Sequence, residues 1–141
     1  CIRDRNITGR MLPQPNFEDI NRKVCKFDEM LGSDFALVAY GDNAQATIAA
    51  ARAENFGLTN LRRVAVIPMR LNIDRAADPT IIVGRDVDDT MAKLNVQGRE
   101  LLMLVRPDRY VAGAIDASSP QAIADFAARV RELAASTHQT N

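Results

Sequence analysis

Leu101-Leu102-Met103-Leu104-Val105-Arg106-Pro107-Asp108-Arg109-Tyr110-Val111-Ala112-Gly113 reads as a strand, a charged turn and a returning strand. Proline presets φ for the first corner of a type I turn and Asp108 suits the second. The residue after them must be left-handed if the chain is to return as a bulged hairpin. That place falls to Arg109. A non-glycine residue there costs on the order of 1 kcal/mol, so the arginine is either strained or retained for a contact that its side chain makes. The turn also leaves no room for a helix between the two strands.

Outward from the hairpin, Phe35-Ala36-Leu37-Val38-Ala39-Tyr40 and Arg63-Val64-Ala65-Val66-Ile67 are compact apolar runs with the length of buried strands, the second ended by Pro68. Between them Gly41 breaks the chain, and Asp42 is placed to cap a helix with Gln45 reaching back. Ala44, Ile48, Ala51 and Asn55 recur at helical spacing to about Phe56, with Gly57 as a left-handed stop. Thr80-Ile81-Ile82-Val83 reads as an edge strand, after which Asp86 caps a short helix through Leu94. A last amphipathic helix is expected over residues 119–135, with Ile123, Phe126, Val130 and Leu133 on one stripe. Lys26 to Gly32 mixes charge with Phe27, Met30 and Leu31 and suggests a short turn or strand edge. Residues 1–17 contain Gly9-Arg10-Met11-Leu12-Pro13-Gln14-Pro15, whose two prolines exclude a helix and mark an extended strap. The expected organisation is a strap over 1–17, one folded domain over 18–136 and a flexible tail over 137–141.

The order strand, helix, strand, helix, hairpin, helix describes an α/β fold: a thioredoxin-like sandwich with a central mixed sheet flanked by helices. A flavodoxin-like sheet would need another helix where the Pro107-Asp108 turn stands. The fold invites a redox function that the residues oppose. A Cys-x-x-Cys of such proteins sits where the first helix starts, because the helix N-terminus lowers a thiol's pKa. Here that place reads Asp42-Asn43-Ala44-Gln45, and Gln97-Gly98-Arg99 stands where a proline usually precedes the third strand. The redox motif is absent, so Cys25 is expected to be a small residue packed near the core.

At 141 residues the chain is one domain's worth, long enough to bury roughly two thirds of its unfolded surface. Basic and acidic residues balance at 18 each, which favours neither nucleic acid nor an anionic membrane and points to a protein partner. Two distant cysteines, Cys1 and Cys25, and the single His138 make no zinc cluster, and the serines have no histidine near in sequence for a triad. No Gly-x-Gly-x-x-Gly or Walker loop appears, so no cofactor is expected on this domain. Asp86, Asp88 and Asp89 read as complements to a helix dipole rather than a cation site. Alanine-rich helices without paired cysteines fit a reducing cytoplasm. The opening at Cys1 is expected to lie inside a longer protein; a free-standing adaptor and a lipoprotein anchored through Cys1 are the alternatives.

The run Val105-Arg106-Pro107-Asp108-Arg109-Tyr110-Val111 resembles the hairpin near the carboxyl terminus of FAD-dependent aromatic-ring hydroxylases, particularly those acting on 3-(3-hydroxyphenyl)propionate. Gly9-Arg10-Met11-Leu12-Pro13-Gln14-Pro15 is similar to their Gly-x-x-x-Pro-Gln-Pro strap. Phe27-Asp28-Glu29-Met30-Leu31-Gly32-Ser33-Asp34-Phe35-Ala36-Leu37 is similar to their Asp-x-x-Leu-Gly-x-x-Phe-x-Leu stretch, and Asp86-Val87-Asp88-Asp89-Thr90-Met91 precedes the hairpin as in that branch. Many relatives have glycine after the hairpin aspartate, where this chain has Arg109. The resemblance spans residues 9–113 in order. It implies a parent flavoprotein monooxygenase that uses FAD, NAD(P)H and dioxygen, with this chain as its non-catalytic C-terminal domain. The flavin and substrate regions would lie upstream, so no catalytic residue carries over. Tyr40-Gly41-Asp42-Asn43-Ala44 superficially resembles a flavin-binding Gly-Asp segment but lacks its continuation, and is read as helix capping. Pro13, Gln14, Pro15, Leu31, Gly32, Phe35, Arg106, Pro107, Asp108 and Tyr110 are then structural landmarks serving folding, docking onto the upstream domains or homodimer contact. Arg106, Asp108, Arg109 and Tyr110 are the candidate docking residues, since arginine can pair with carboxylates and carbonyls across an interface.

Overall fold

The computed structural model describes residues 16–19, 21–52, 55–58, 60–68, 80–87, 100–117 and 119–139. Pro13, Gln14, Pro15, Gln97-Gly98-Arg99 and the helix expected through Leu94 lie outside them. In chain order the described elements are β1 (Asn16–Asp19), β2 (Val24–Lys26), α1 (Phe27–Leu31), β3 (Ala36–Tyr40), α2 (Ala44–Ala50), β4 (Arg62–Ile67), β5 (Ile81–Asp86), β6 (Leu101–Val105), β7 (Val111–Asp116) and α3 (Pro120–Gln139).

The strands form one mixed sheet in the order β2-β1-β5-β4-β3-β6-β7. β3 pairs parallel with β4 and antiparallel with β6, so the apolar run after Phe35 lies in the middle, and all five of its residues are buried. Two cores follow from the alternation of side chains across the sheet. On one face Leu37, Ala39, Ala65, Leu102 and Leu104 pack against Ala44, Ile48 and Ala51 of α2 and Ile123, Phe126, Ala127 and Val130 of α3. On the other, Val38, Tyr40, Val64, Val66 and Met103 pack with Phe17, Phe27 and Leu31. This is the thioredoxin-like α/β sandwich expected from the element order.

Several local expectations are corrected. The extended segment assigned to a strap ends in a strand: Phe17 lies in β1, fully buried, and stacks on Phe27. The β1-β2 turn is held by Asp19, whose Oδ1 accepts from the backbone N–H groups of Asn21 and Lys23 at 2.9 Å each. Of the stretch Lys26 to Gly32, expected as a short turn or strand edge, Lys26 ends edge strand β2 and Phe27–Leu31 form the one-turn helix α1, because burial of Phe27 and Leu31 outweighs the lack of a side-chain cap. The strand beginning at Ile81 is internal: β4 lies on one side and β1 on the other. Asp86 ends that strand, buried and paired in register with Phe17. α2 stops at Ala50, short of Phe56, with a turn in which Arg52 N–H bonds Ala50 C=O; Gly57 is left-handed, at φ 68°. α3 runs past residue 136 to Gln139, there being no glycine or proline to end it, and Leu133 is 68% exposed while Ala127 completes the buried stripe.

Candidate functional site

The hairpin tip is built by its own sequence. Arg106 N–H donates to Tyr110 C=O at 2.8 Å and Arg109 N–H to Arg106 C=O at 2.9 Å. Arg109 has φ 73°, the left-handed place required of it, and the register shifts between Leu104 and Val105, opposite Gly113 and Val111, so that Ala112 is the bulged residue. Asp108 ties both arms of the turn. Its Oδ1 accepts from Tyr110 N–H at 3.2 Å and its Oδ2 from Arg106 Nη2 at 2.6 Å, an exposed pair.

The contact that retains Arg109 lies inside the domain. Its Nη2 donates to the Gly32 carbonyl, 77 residues away in sequence, at the C-terminal end of α1. Arg62 adds a second guanidinium there, donating from Nη1 to Met30 C=O at 3.2 Å. Two cations thus cap the carbonyl end of α1, the end that favours positive charge. Of the four sequence candidates, Arg106 and Asp108 brace the exposed tip, Arg109 fastens it to α1 and Tyr110 stands 39% exposed beside it. Arg109→Gly should relieve about 1 kcal/mol of backbone strain yet forfeit a charged hydrogen bond worth roughly 1.5–3 kcal/mol. A net loss of about 1 kcal/mol in urea unfolding is therefore expected; a stabilised variant would contradict the role of the Gly32 contact.

The start of α2 is where a thioredoxin-like enzyme places its thiol, and here Glu100 faces it. The N-cap position falls to Asn43 rather than Asp42, and the Asn43 side chain makes no cap bond. Instead Glu100 Oε1, arriving from the residue before β6, accepts the Asn43 N–H at 3.0 Å. Gly41 makes this approach feasible, since a Cβ there would lie 2.5 Å from Glu100 Oε1. Glu100 was not legible in the sequence because it is 57 residues from its partner. Burial pushes its carboxyl above the ordinary value of 4.5, helped by the charges of Asp42 and Asp116 and opposed by backbone N–H groups of Asn43 and Asp42. A carboxyl raised on folding binds its proton more tightly in the native state. Its contribution to stability is present below 4.5 and lost as pH rises through the folded value. Wild type should therefore gain stability relative to Glu100→Gln when unfolding is measured at progressively lower pH across that window. Parallel pH profiles would contradict this.

Cys25 sits half-buried in β2, its Sγ 3.7 Å from Phe17 C=O. Burial, then Glu29 and Asp19, push its thiol above 9.0, which disfavours the nucleophilic thiolate. Among the described residues, no group of three or more His, Cys, Asp or Glu could hold a metal, and no helix is long and apolar enough to cross a membrane.

Residues 9–131 match the family described as the HcaD C-terminal domain. The chain belongs to that family. It is 32% identical over 135 residues to a 3-(3-hydroxy-phenyl)propionate/3-hydroxycinnamic acid hydroxylase of Burkholderia cenocepacia (strain HI2424), covering 89% of this chain and 25% of the hydroxylase. The chain thus spans between 18% and 25% of the length of the curated relatives it matches. Among solved structures it is similar to the peroxidoxin BcpB of Mycobacterium tuberculosis, with TM-score 0.62 and 16% identity, covering 89% of this chain and 96% of that one. It also matches the flavin-dependent monooxygenase PieE, solved with FAD and substrate, with TM-score 0.57 and 23% identity, over 89% of this chain but 20% of PieE. Both likenesses show the fold, and the second shows it as part of a larger chain.

Proposed function

We propose that this chain is the non-catalytic C-terminal domain of a FAD-dependent aromatic hydroxylase acting on a phenolic substrate of the 3-(3-hydroxyphenyl)propionate class with NAD(P)H and dioxygen. The observation that carries the reading is the 32% identity over 89% of this chain to one quarter of such a hydroxylase. FAD and NAD(P)H are held by the remainder of the parent, and none by this domain. Chemical idleness is supported by Asp42-Asn43-Ala44-Gln45, which holds no thiol at the α2 start, and by burial that pushes the Cys25 thiol toward its protonated form. The domain serves folding and docking onto the upstream flavin and substrate domains, or homodimer contact, in the cytoplasm. Balanced charge supports a protein partner over nucleic acid or membrane.

Full-length protein should oxidise NAD(P)H in the presence of 3-(3-hydroxyphenyl)propionate and dioxygen, with turnover unchanged by Cys25→Ser. Absence of substrate-dependent oxidation opposes the hydroxylase reading. A turnover lost with the thiol opposes the domain's non-catalytic part in it.

A further inference from the structure

We propose that the tip of the β6-β7 hairpin is a preorganised knob, with Tyr110 as its anchor, that seats on the upstream body of the parent enzyme; this rests on the function proposed above. Among the described residues three large apolar side chains are exposed: Val24 at 52%, Tyr110 at 39% and Leu133 at 68%. Val24 lies on a three-residue strand at the opposite edge of the sheet, between Lys23 and Lys26, an arrangement that discourages association. Leu133 lies on the solvent side of α3, and a single exposed leucine needs no explanation. Tyr110 differs in its setting. Tyrosine and arginine are the residues over-represented where binding energy concentrates, and Arg106 is its cross-turn partner.

The tip is also rigid before it meets anything. Two backbone bonds close it, Asp108 braces both arms, and Arg109 fastens it to the Gly32 carbonyl at the cost of a left-handed arginine. A loop already held in one shape loses little freedom on binding, so more of the contact energy appears as affinity. Arg109 acts here as a positioning residue: it aims the tip and Tyr110 makes the contact. The occupant is the upstream part of the same polypeptide. The chain covers only 18% to 25% of its hydroxylase relatives and matches a C-terminal domain family, so most of the parent precedes it and needs a surface on this domain. The ion pair Arg106–Asp108 carries both charge signs, which suits the polar rim around an aromatic anchor.

The test uses the full-length enzyme with benzoylphenylalanine in place of Tyr110, irradiated and digested. Crosslinks from the hairpin to peptides upstream of this domain, within one polypeptide, are expected. In parallel, Tyr110→Ser should speed proteolytic release of the domain at least roughly tenfold, while Val24→Ser should leave the rate unchanged. Crosslinks to the hairpin of a second copy, or only within this domain, would overturn the proposal, as would equal release rates for the two variants. A full-length protein without flavin would instead overturn the hydroxylase reading. A flavin-bearing one without these crosslinks removes the docking surface alone.

Discussion

Gly84→Ala should be among the most damaging single-methyl substitutions in this domain, costing about 3 kcal/mol, the upper end for overpacking a core. A Cβ at Gly84 would lie 2.1 Å from both Cε1 and Cζ of Phe17. The ring has nowhere to retreat. Phe17 is fully buried and stacks on Phe27 at a centroid distance of 5.8 Å, so it is held between the β5 backbone and α1. The strain would fall on the pairing of β1 with β5, where Glu18 and Arg85 also meet at 2.6 Å. Phe17→Ala should cost roughly 3–5 kcal/mol by the opposite route, a cavity. Combining Gly84→Ala with Phe17→Leu should recover part of the loss, because leucine frees the space the methyl needs. Urea unfolding of the three variants checks this, and a Gly84→Ala protein of full stability would contradict the packing.

The second large effect is expected at Arg63, an arginine on a central strand that is only 8% exposed. Its Nη1 donates to Ile48 C=O at 3.1 Å and its Nη2 to Thr80 Oγ1 at 2.8 Å. Ile48 belongs to the last turn of α2, where carbonyls lack helical partners and a cation is favoured. Arg63 therefore joins the end of α2 to the start of β5. Arg63→Met keeps much of the apolar stem but strands one buried acceptor, the Ile48 carbonyl, and gives up the half-buried bond to exposed Thr80; a loss of roughly 1–3 kcal/mol is expected. Arg63→Lys should recover only part, since a compact ammonium cannot reproduce the planar fork. A loss within about 0.5 kcal/mol for Arg63→Met would show that these bonds contribute nothing net.

The central architecture was legible because its signals are local. β3 and β6 are uninterrupted apolar runs, β4 carries the apolar run Val64-Ala65-Val66-Ile67, and Pro107-Asp108 forces the β6-β7 hairpin with a left-handed Arg109, as found. Where the signal is a distant partner, the sequence was silent. β1 reads Asn-Phe-Glu-Asp, with one apolar residue, and becomes a strand because Gly84 leaves a slot for Phe17. That pairing places the strand beginning at Ile81 inside the sheet and buries Asp86 at its end. The start of α2 shows the same limit: Asp42 is the local cap, yet the carboxylate that takes the Asn43 N–H comes from Glu100. At the hairpin, four candidate residues were named together, and the structure divides them between bracing the tip, fastening it and exposing an aromatic ring.

The most direct measurement of the central claim is the visible absorption spectrum of the full-length protein beside that of the 141-residue chain purified alone. A C-terminal domain that leaves flavin chemistry to the rest of its parent predicts a full-length protein carrying one flavin per polypeptide and a short chain that stays colourless when FAD is added. Stoichiometric flavin on the short chain, or none on the full-length protein, would contradict the account.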